Sequence, residues 1–336
     1  MKTILAISAA ALLSAAAAHA QKINAAGATF PAPIYQKWFG EYHGANPGVE
    51  INYQAVGSGA GIKQLTDGTV DFGASDMPMT AEQIKAMKVP PLHFPTVMGA
   101  VVLTYNVAGI TQELKFSPDV IADIYLAKIT KWSDPRLAKD NPGVKFPKDD
   151  IIVVRRTDGS GTTFVFTDYL SKVSPEWKMK VGANTSVSWP GQTLGGAQNP
   201  GVAGLIKQTP GSIGYVELIY AVQNKMPYAQ VKNSSGNFVK ASLESVTEAA
   251  AGAAKNMPAD FRVSITDAPG KNAYPISTFT WLLIPSSIPD AGKAKAVKGF
   301  LQWMLTAGQK DCSGLTYAPL PSEIVAKEEK QIAQVK

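Results

Sequence analysis

The 336-residue sequence contains one cysteine, Cys312, and three histidines, His19, His43 and His93. A single thiol forms no internal disulfide and no thiolate cage for zinc or an iron–sulfur cluster, and so few imidazoles argue against a histidine-rich metal site. Clustered positive charge is also missing. The 32 Lys+Arg against 26 Asp+Glu give a formal net charge of +6, a mild excess that helps attract small anions. It forms no basic patch of the kind nucleic acid requires. Beyond residue 20, no uncharged apolar run reaches the ~20 residues that a bilayer demands.

What is present is a globular composition, with 45% hydrophobic and 17% charged residues, rather than that of a disordered chain. The length exceeds what one hydrophobic core usually supports, so two domains are expected. Lys2, the apolar stretch from Ile4 to Ala18 and the small-x-small junction Ala18-His19-Ala20 have the form of a secretory signal peptide, with Gln21 as the first mature residue. No cysteine stands at that junction to carry a lipid anchor. The reading is therefore a chain exported to the periplasm and soluble there once residues 1–20 are removed.

Periodicity predicts an alternation of strands and helices. Val49–Val56 alternates apolar and polar residues as a half-buried strand does. Ile34, Trp38, Phe39 and Tyr42 before it, and Ile62 and Leu65 after it, recur at helical spacing. Asp71–Ser75 reads as a short strand, and Thr80-Ala-Glu-Gln83 as a capping box. Ser117-Pro118 opens a helix, Ile151–Val154 reads as a strand, and a helix starts near Thr162. The long apolar runs Phe94–Asn106 and Ile276–Ile284 flank that inserted α/β unit. The helix Lys293–Leu305 and the tail Pro321–Lys336 then return to the first lobe. The expected fold class is α/β: two lobes, each with a parallel-type sheet, joined by two crossing strands. Lobe I takes 21–98 and 278–336, and lobe II takes 99–277. The alanine-rich segment Ala241–Asn256 is expected to be a surface helix, Cys312 an incidental thiol, and His43 and His93 surface or turn positions.

Four small-residue loops stand at strand-to-helix junctions: Ala26–Phe30, Gly57–Gly61, Gly73–Asp76 and Arg155–Thr162. A helix N-terminus offers unpaired N–H groups and the positive end of the macrodipole, and glycine lets a ligand approach the backbone. Other uses of these loops fail on spacing. Ile62 stands where the third glycine of a dinucleotide loop belongs, and Ile62 also separates Gly61 from Lys63 where a Walker loop needs Gly-Lys. Val56 and Asp158 stand where the first glycine of a nucleophile elbow around Ser58 or Ser160 belongs.

Taken together, Gly27–Pro33, Asp71–Asp76 and Val153–Thr162 resemble the recognition segments of the periplasmic phosphate-binding proteins of high-affinity phosphate ABC transporters, the PstS family. Phe94–Val97, Asp123–Leu126, Phe164–Thr167 and Gly211–Glu217 extend the resemblance over essentially the whole mature chain. One departure is Gly57-Ser-Gly-Ala-Gly61, where the family commonly has Gly-Ser-Ser-Gly-Gly; Ser58 is retained and Gly59 follows it. The resemblance implies a type II periplasmic binding protein fold and a cleft for inorganic phosphate. It also implies a monomer that delivers its cargo to membrane permease subunits and has neither cofactor nor catalytic role. Residue by residue, it implies that Thr29 and the Phe30 N–H, Ser58 through its hydroxyl and amide, and Ser160, Gly161 and Thr162 hold the anion. Arg156 would touch phosphate oxygens while paired with Asp158, and Asp76 would accept a hydrogen bond from the ligand.

That last role has a physical rationale. A carboxylate in an anion site is unfavourable unless the guest brings a proton, which phosphate near neutrality does and sulfate does not. A receptor for another tetrahedral oxyanion such as sulfate is the alternative within the same class. An exported phosphatase is a third reading, and it would need nucleophile chemistry through His43 or His93.

Overall fold

The computed structural model describes residues 20–336; the segment expected to be a signal peptide, apart from Ala20, lies outside the described residues. The chain begins with β1 (Gln21–Gly27), α1 (Ala32–Ala45), β2 (Val49–Ala55), α2 (Ser58–Asp67), β3 (Phe72–Ser75), α3 (Ala81–Lys85) and the long β4 (Pro91–Asn106). The middle holds β5 (Lys115–Phe116), α4 (Pro118–Tyr125), α5 (Pro135–Asp140), β6 (Ile152–Arg156), α6 (Gly161–Val173) and α7 (Pro175–Lys180). Next come β7 (Thr193–Gly196), α8 (Gln198–Gln208), β8 (Ser212–Glu217) and α9 (Leu218–Gln223). The remainder is β9 (Gln230–Lys232), β10 (Phe238–Val239), α10 (Leu243–Lys255), β11 (Ser277–Pro285), α11 (Ala291–Thr306) and α12 (Ser322–Ile332).

Eight strands form a curled mixed sheet in the order β2-β1-β3-β11-β4-β8-β6-β7, and β10-β9-β5 form a small one. β2, β1 and β3 are mutually parallel, as are β8, β6 and β7. These are the two parallel groups expected from the alternating pattern. β11 and β4 lie between them and run antiparallel to their neighbours. β4 pairs with β11 as far as Ala100 and with β8 from Val101 onward. The Val101 N–H also donates to the Ile276 carbonyl at 2.9 Å, just ahead of β11. The chain thus crosses between the two groups at two adjacent points, and β4 makes their sheets continuous.

Each group carries its own aromatic nucleus. Tyr35, Phe39, Tyr53, Phe72 and Phe300 meet with ring centroids 5.1–6.3 Å apart beside β1–β3. Tyr125, Phe166, Trp189 and Tyr215 do so at 4.6–6.2 Å beside β6 and β8. Burying each such side chain contributes roughly 1.5–3 kcal/mol, and both nuclei belong to one continuous hydrophobic core. The helical spacing of Ile34, Trp38, Phe39 and Tyr42 becomes the buried stripe of α1. The Thr80 capping box forms with both of its bonds. The tail comes back to the first group: the Lys336 N–H donates to Ser286 O at 2.9 Å, and Gln331 Nε2 to His93 O at 2.8 Å.

Two sequence expectations need correction. His93 is neither a surface nor a turn residue; it is 3% exposed within β4, and its Nε2 accepts the Met79 N–H at 3.0 Å. Burial, aided by the Arg262 charge, lowers its pKa to about 4, so it is neutral. The alanine-rich α10 is only half a surface helix, because Val246, Ala249, Ala250 and Ala254 are buried along one stripe. Alanine there allows close approach to the sheet. Cys312 is buried, and burial pushes its thiol up to about 12, which leaves it protonated and unreactive.

Candidate functional site

The four loops converge at the carboxyl ends of the parallel strands, where α/β sheets place their ligands. Thr29 and Phe30 follow β1, Ser58 opens α2 after β2, and Asp76 follows β3; Arg156 ends β6, and Ser160–Thr162 enter α6. Thr29, Phe30, Ser58, Asp76, Arg156, Ser160 and Thr162 are each at most 4% exposed, and Gly161 is buried.

The loops of the two parallel groups touch. The Gly59 N–H donates to Gly159 O at 2.8 Å. A Cβ on Gly59 would come to 3.1 Å from Gly159 Cα, so the glycine that replaces the family's serine lets two backbones meet. A Cβ on Gly161 would fall 2.4 Å from Ser58 Oγ and 2.6 Å from Asp76 Oδ2, which puts those three positions in direct contact. Ser58 Oγ accepts the Asp76 N–H at 3.2 Å, and Ser160 Oγ caps α6 by accepting the Thr163 N–H at 3.0 Å. Arg156 donates from Nε to Asp158 Oδ1 at 2.8 Å, from its second terminal nitrogen to Asp158 Oδ2, and from the first to Thr162 Oγ1 at 3.3 Å.

The cluster combines a buried carboxyl group with a paired guanidinium. Asp76 Oδ1 accepts the Thr280 hydroxyl at 2.8 Å. Burial pushes the Asp76 pKa up to about 7, against the opposing pull of Thr280, Arg156 and Ser58. Asp158 is also partly buried, which raises it, but the Arg156 guanidinium and the Gln198 N–H at 2.9 Å outweigh burial and hold it below the usual carboxylate range. The Arg156 charge is therefore neutralised by a fixed partner. Among the described residues, the N–H groups of Phe30, Ser58, Gly161 and Thr162 donate to no protein acceptor. Buried unpaired donors are rare in folded proteins and costly unless a ligand takes them. Two of them lie in the first turn of α6 and one opens α2, where the helix dipoles reinforce them.

Comparison with known proteins is consistent with this geometry. A family model described as the PBP superfamily domain matches residues 14–307. The phosphate-binding protein PstS of Xylella fastidiosa is 44% identical over 309 residues, spanning 92% of this chain and 84% of that protein. The phosphate-binding protein PstS of Pasteurella multocida is 44% identical over 314 residues, spanning 93% and 90%. The chain belongs to the PstS family. Its fold is shared with a solved high affinity periplasmic phosphate-binding protein, PfluDING, bound with phosphate, at a TM-score of 0.74 and 21% identity over 92% of this chain and 93% of that one. It is shared equally with a phosphate-binding protein from Stenotrophomonas maltophilia, at a TM-score of 0.73 and 20% identity over 93% and 94%.

Several residues around the site of this PstS-family chain were not singled out in its sequence. Thr280 lies in the apolar run of β11 as one of three hydroxyl residues, with Ser277 and Thr278, and nothing local marks it as the one that faces Asp76. Glu217 ends β8 with Oε2 accepting the Ile219 N–H at 2.7 Å, while Oε1 has no partner. Burial raises its pKa well above the carboxylate range. Tyr220 donates to Thr29 O at 2.5 Å and fixes the first loop. Asn199, at the start of α8, touches both Thr29 and Thr162. Its signal was the Gly195-Gly196 pair, a strand-to-helix junction of the same kind as the other four.

Proposed function

We propose that this protein captures inorganic phosphate between two lobes and delivers it to the membrane permease subunits of an ABC-type phosphate importer. It does so as a non-catalytic monomer in the periplasm, after loss of residues 1–20. Lobe I would comprise 21–98 and 278–336, and lobe II 99–277; the first boundary falls two residues before β4 passes from β11 to β8, and the second at the start of β11. Thr29, Phe30, Ser58, Asp76, Arg156, Ser160, Gly161 and Thr162 would hold the ligand, with Asp158 supporting Arg156.

One observation carries the reading. Unpaired N–H donors and hydroxyls lie beside the buried carboxyl group of Asp76. Donors alone would suit any tetrahedral oxyanion. The carboxylate selects one that arrives with a proton, because leaving a buried charged acceptor unpaired costs about 1–3 kcal/mol or more. Selectivity against sulfate then comes from repulsion rather than from excess positive charge. A hydrolase would need a base beside a nucleophile. His93 is instead committed to the Met79 N–H, and His43 Nδ1 to Val49 O at 2.7 Å.

The test is calorimetric titration of phosphate-free protein with phosphate and with sulfate from pH 5 to 9. Once Asp76 ionises near pH 7, sulfate binding requires its reprotonation, so the preference for phosphate should grow by up to ~tenfold per pH unit above 7. Asp76→Asn, which presents an amide donor to sulfate, should flatten that rise. Equal competition by sulfate at pH 8 in the wild type would reject the reading.

A further inference from the structure

Asn199 has a more constrained environment than its distance from the recognition motifs suggests. Its side chain is fully buried, and Oδ1 accepts the Glu217 backbone N–H at 2.9 Å. A backbone donor cannot become an acceptor, so the amide has one orientation and its NH₂ must face the other way. There Nδ2 donates to Thr29 Oγ1 at 2.9 Å and to Thr162 Oγ1 at 3.2 Å, bridging loops from opposite parallel groups.

The two threonine oxygens are then saturated as acceptors. Thr29 Oγ1 also receives the Asn199 N–H at 3.3 Å, and Thr162 Oγ1 also receives Arg156 at 3.3 Å. A hydroxyl has two lone pairs and one proton. With both lone pairs taken, its proton must be donated, and neither hydroxyl donates to a protein acceptor among the described residues. The backbone just before Asn199 is held in an uncommon state to allow this. Gln198 has φ +63°, a left-handed conformation that a non-glycine residue seldom adopts, and its N–H is tied to Asp158 Oδ1. The carboxylate that neutralises Arg156 thus also positions Asn199.

We propose that Asn199 is a positioning residue for ligand capture: it fills the acceptor sites of Thr29 and Thr162, so that both hydroxyl protons are presented as donors to the bound oxyanion. This rests on the site holding phosphate as proposed above. The residue adds no charge and needs no contact with the ligand. It removes the alternative in which the hydroxyls rotate and present lone pairs to the anion, and its bond to Thr29 forms only when the two loops are together.

The test is a double-mutant cycle on phosphate affinity, measured by calorimetry at pH 8. Asn199→Ala should weaken phosphate binding roughly tenfold or more. In a Thr29→Val, Thr162→Val background, the same change should cost less than about twofold, because no hydroxyls remain to orient. A residue that served only to hold the fold would cost the same in both backgrounds, and that result would overturn the inference. If Asn199→Ala proves too unstable to titrate, Asn199→Leu replaces it in the cycle. The apolar side chain of similar volume adds no charge and leaves both hydroxyls unfilled, so the same two expectations hold; affinity within about twofold of wild type would also overturn the inference. The premise fails separately: wild-type protein that takes up no phosphate refutes the site reading, whatever the variants do.

Discussion

Replacing Asp76 by asparagine should stabilise the phosphate-free protein, and the gain should depend on pH in a defined window. Asp76 is 1% exposed, and burial moves its pKa from the ordinary 3.8 to about 7. Below pH 4 the carboxyl carries its proton whether the chain is folded or not, and burial imposes no ionic penalty. Between pH 4 and 7 the unfolded chain releases that proton while the folded chain holds it. The unfolded state then binds fewer protons, and stability falls as pH rises. Above pH 7 both forms are ionised and the penalty is complete. The interval between the two pKa values corresponds to ~4 kcal/mol. Asparagine fits the same space, can keep the bond from Thr280 to its oxygen, and does not titrate. Urea unfolding of wild type and Asp76→Asn in phosphate-free buffer at half-unit steps from pH 4 to 8.5 isolates this group, because Glu328 is raised by its own burial alone and Glu217 chiefly by its own burial, with the Asp76 charge a lesser contribution. The stability gap should widen by up to ~4 kcal/mol across that range and then level off. A gap constant to within about 1 kcal/mol would refute the reasoning, since it would mean that Asp76 meets water or a permanent cation in the ligand-free protein.

Two further outcomes follow from the packing. Gly161→Ala would bring a methyl group to 2.4 Å from Ser58 Oγ and 2.6 Å from Asp76 Oδ2, so these loops must separate. Phosphate affinity should drop by roughly a hundredfold or more while far-UV circular dichroism stays unchanged, and near-wild-type affinity would contradict the geometry. Cys312, buried and with its thiol pushed up to about 12, should resist a soluble disulfide reagent at pH 8 until the protein is unfolded. Rapid native labelling would contradict that burial.

Much of the fold could be read from the sequence because its elements announce themselves locally. The stripe Ile34–Tyr42, the capping box at Thr80 and the Ser117-Pro118 start each depend on neighbours a few residues away. The recognition loops were legible for the same reason, since glycine and small hydroxyl residues collect at strand-to-helix turns. What could not be read depends on partners distant in sequence. Asn199 gains its role from Thr29, 170 residues away, and Thr280 from Asp76, 204 residues away. His93 was misread because Pro90, Pro91 and Pro95 surround it like a turn. The sheet tolerates Pro95 because the register shifts opposite it, between Thr280 and Trp281, which leaves Thr96 as the extra residue of a bulge. The short strands β5, β7, β9 and β10 have too few residues to show any period.

The passage of β4 through the middle of the eight-stranded sheet has a consequence for how this chain is assembled. A cut near Ala100 would not release two viable halves: the N-terminal piece would keep the half of β4 that pairs with β11 but lose β11 itself, which the C-terminal piece carries. The polypeptide must complete Ser277–Pro285 before its first sheet can close. Nascent chains shorter than that expose a long apolar strand with free hydrogen-bonding groups on one side, the situation in which strand-to-strand aggregation begins.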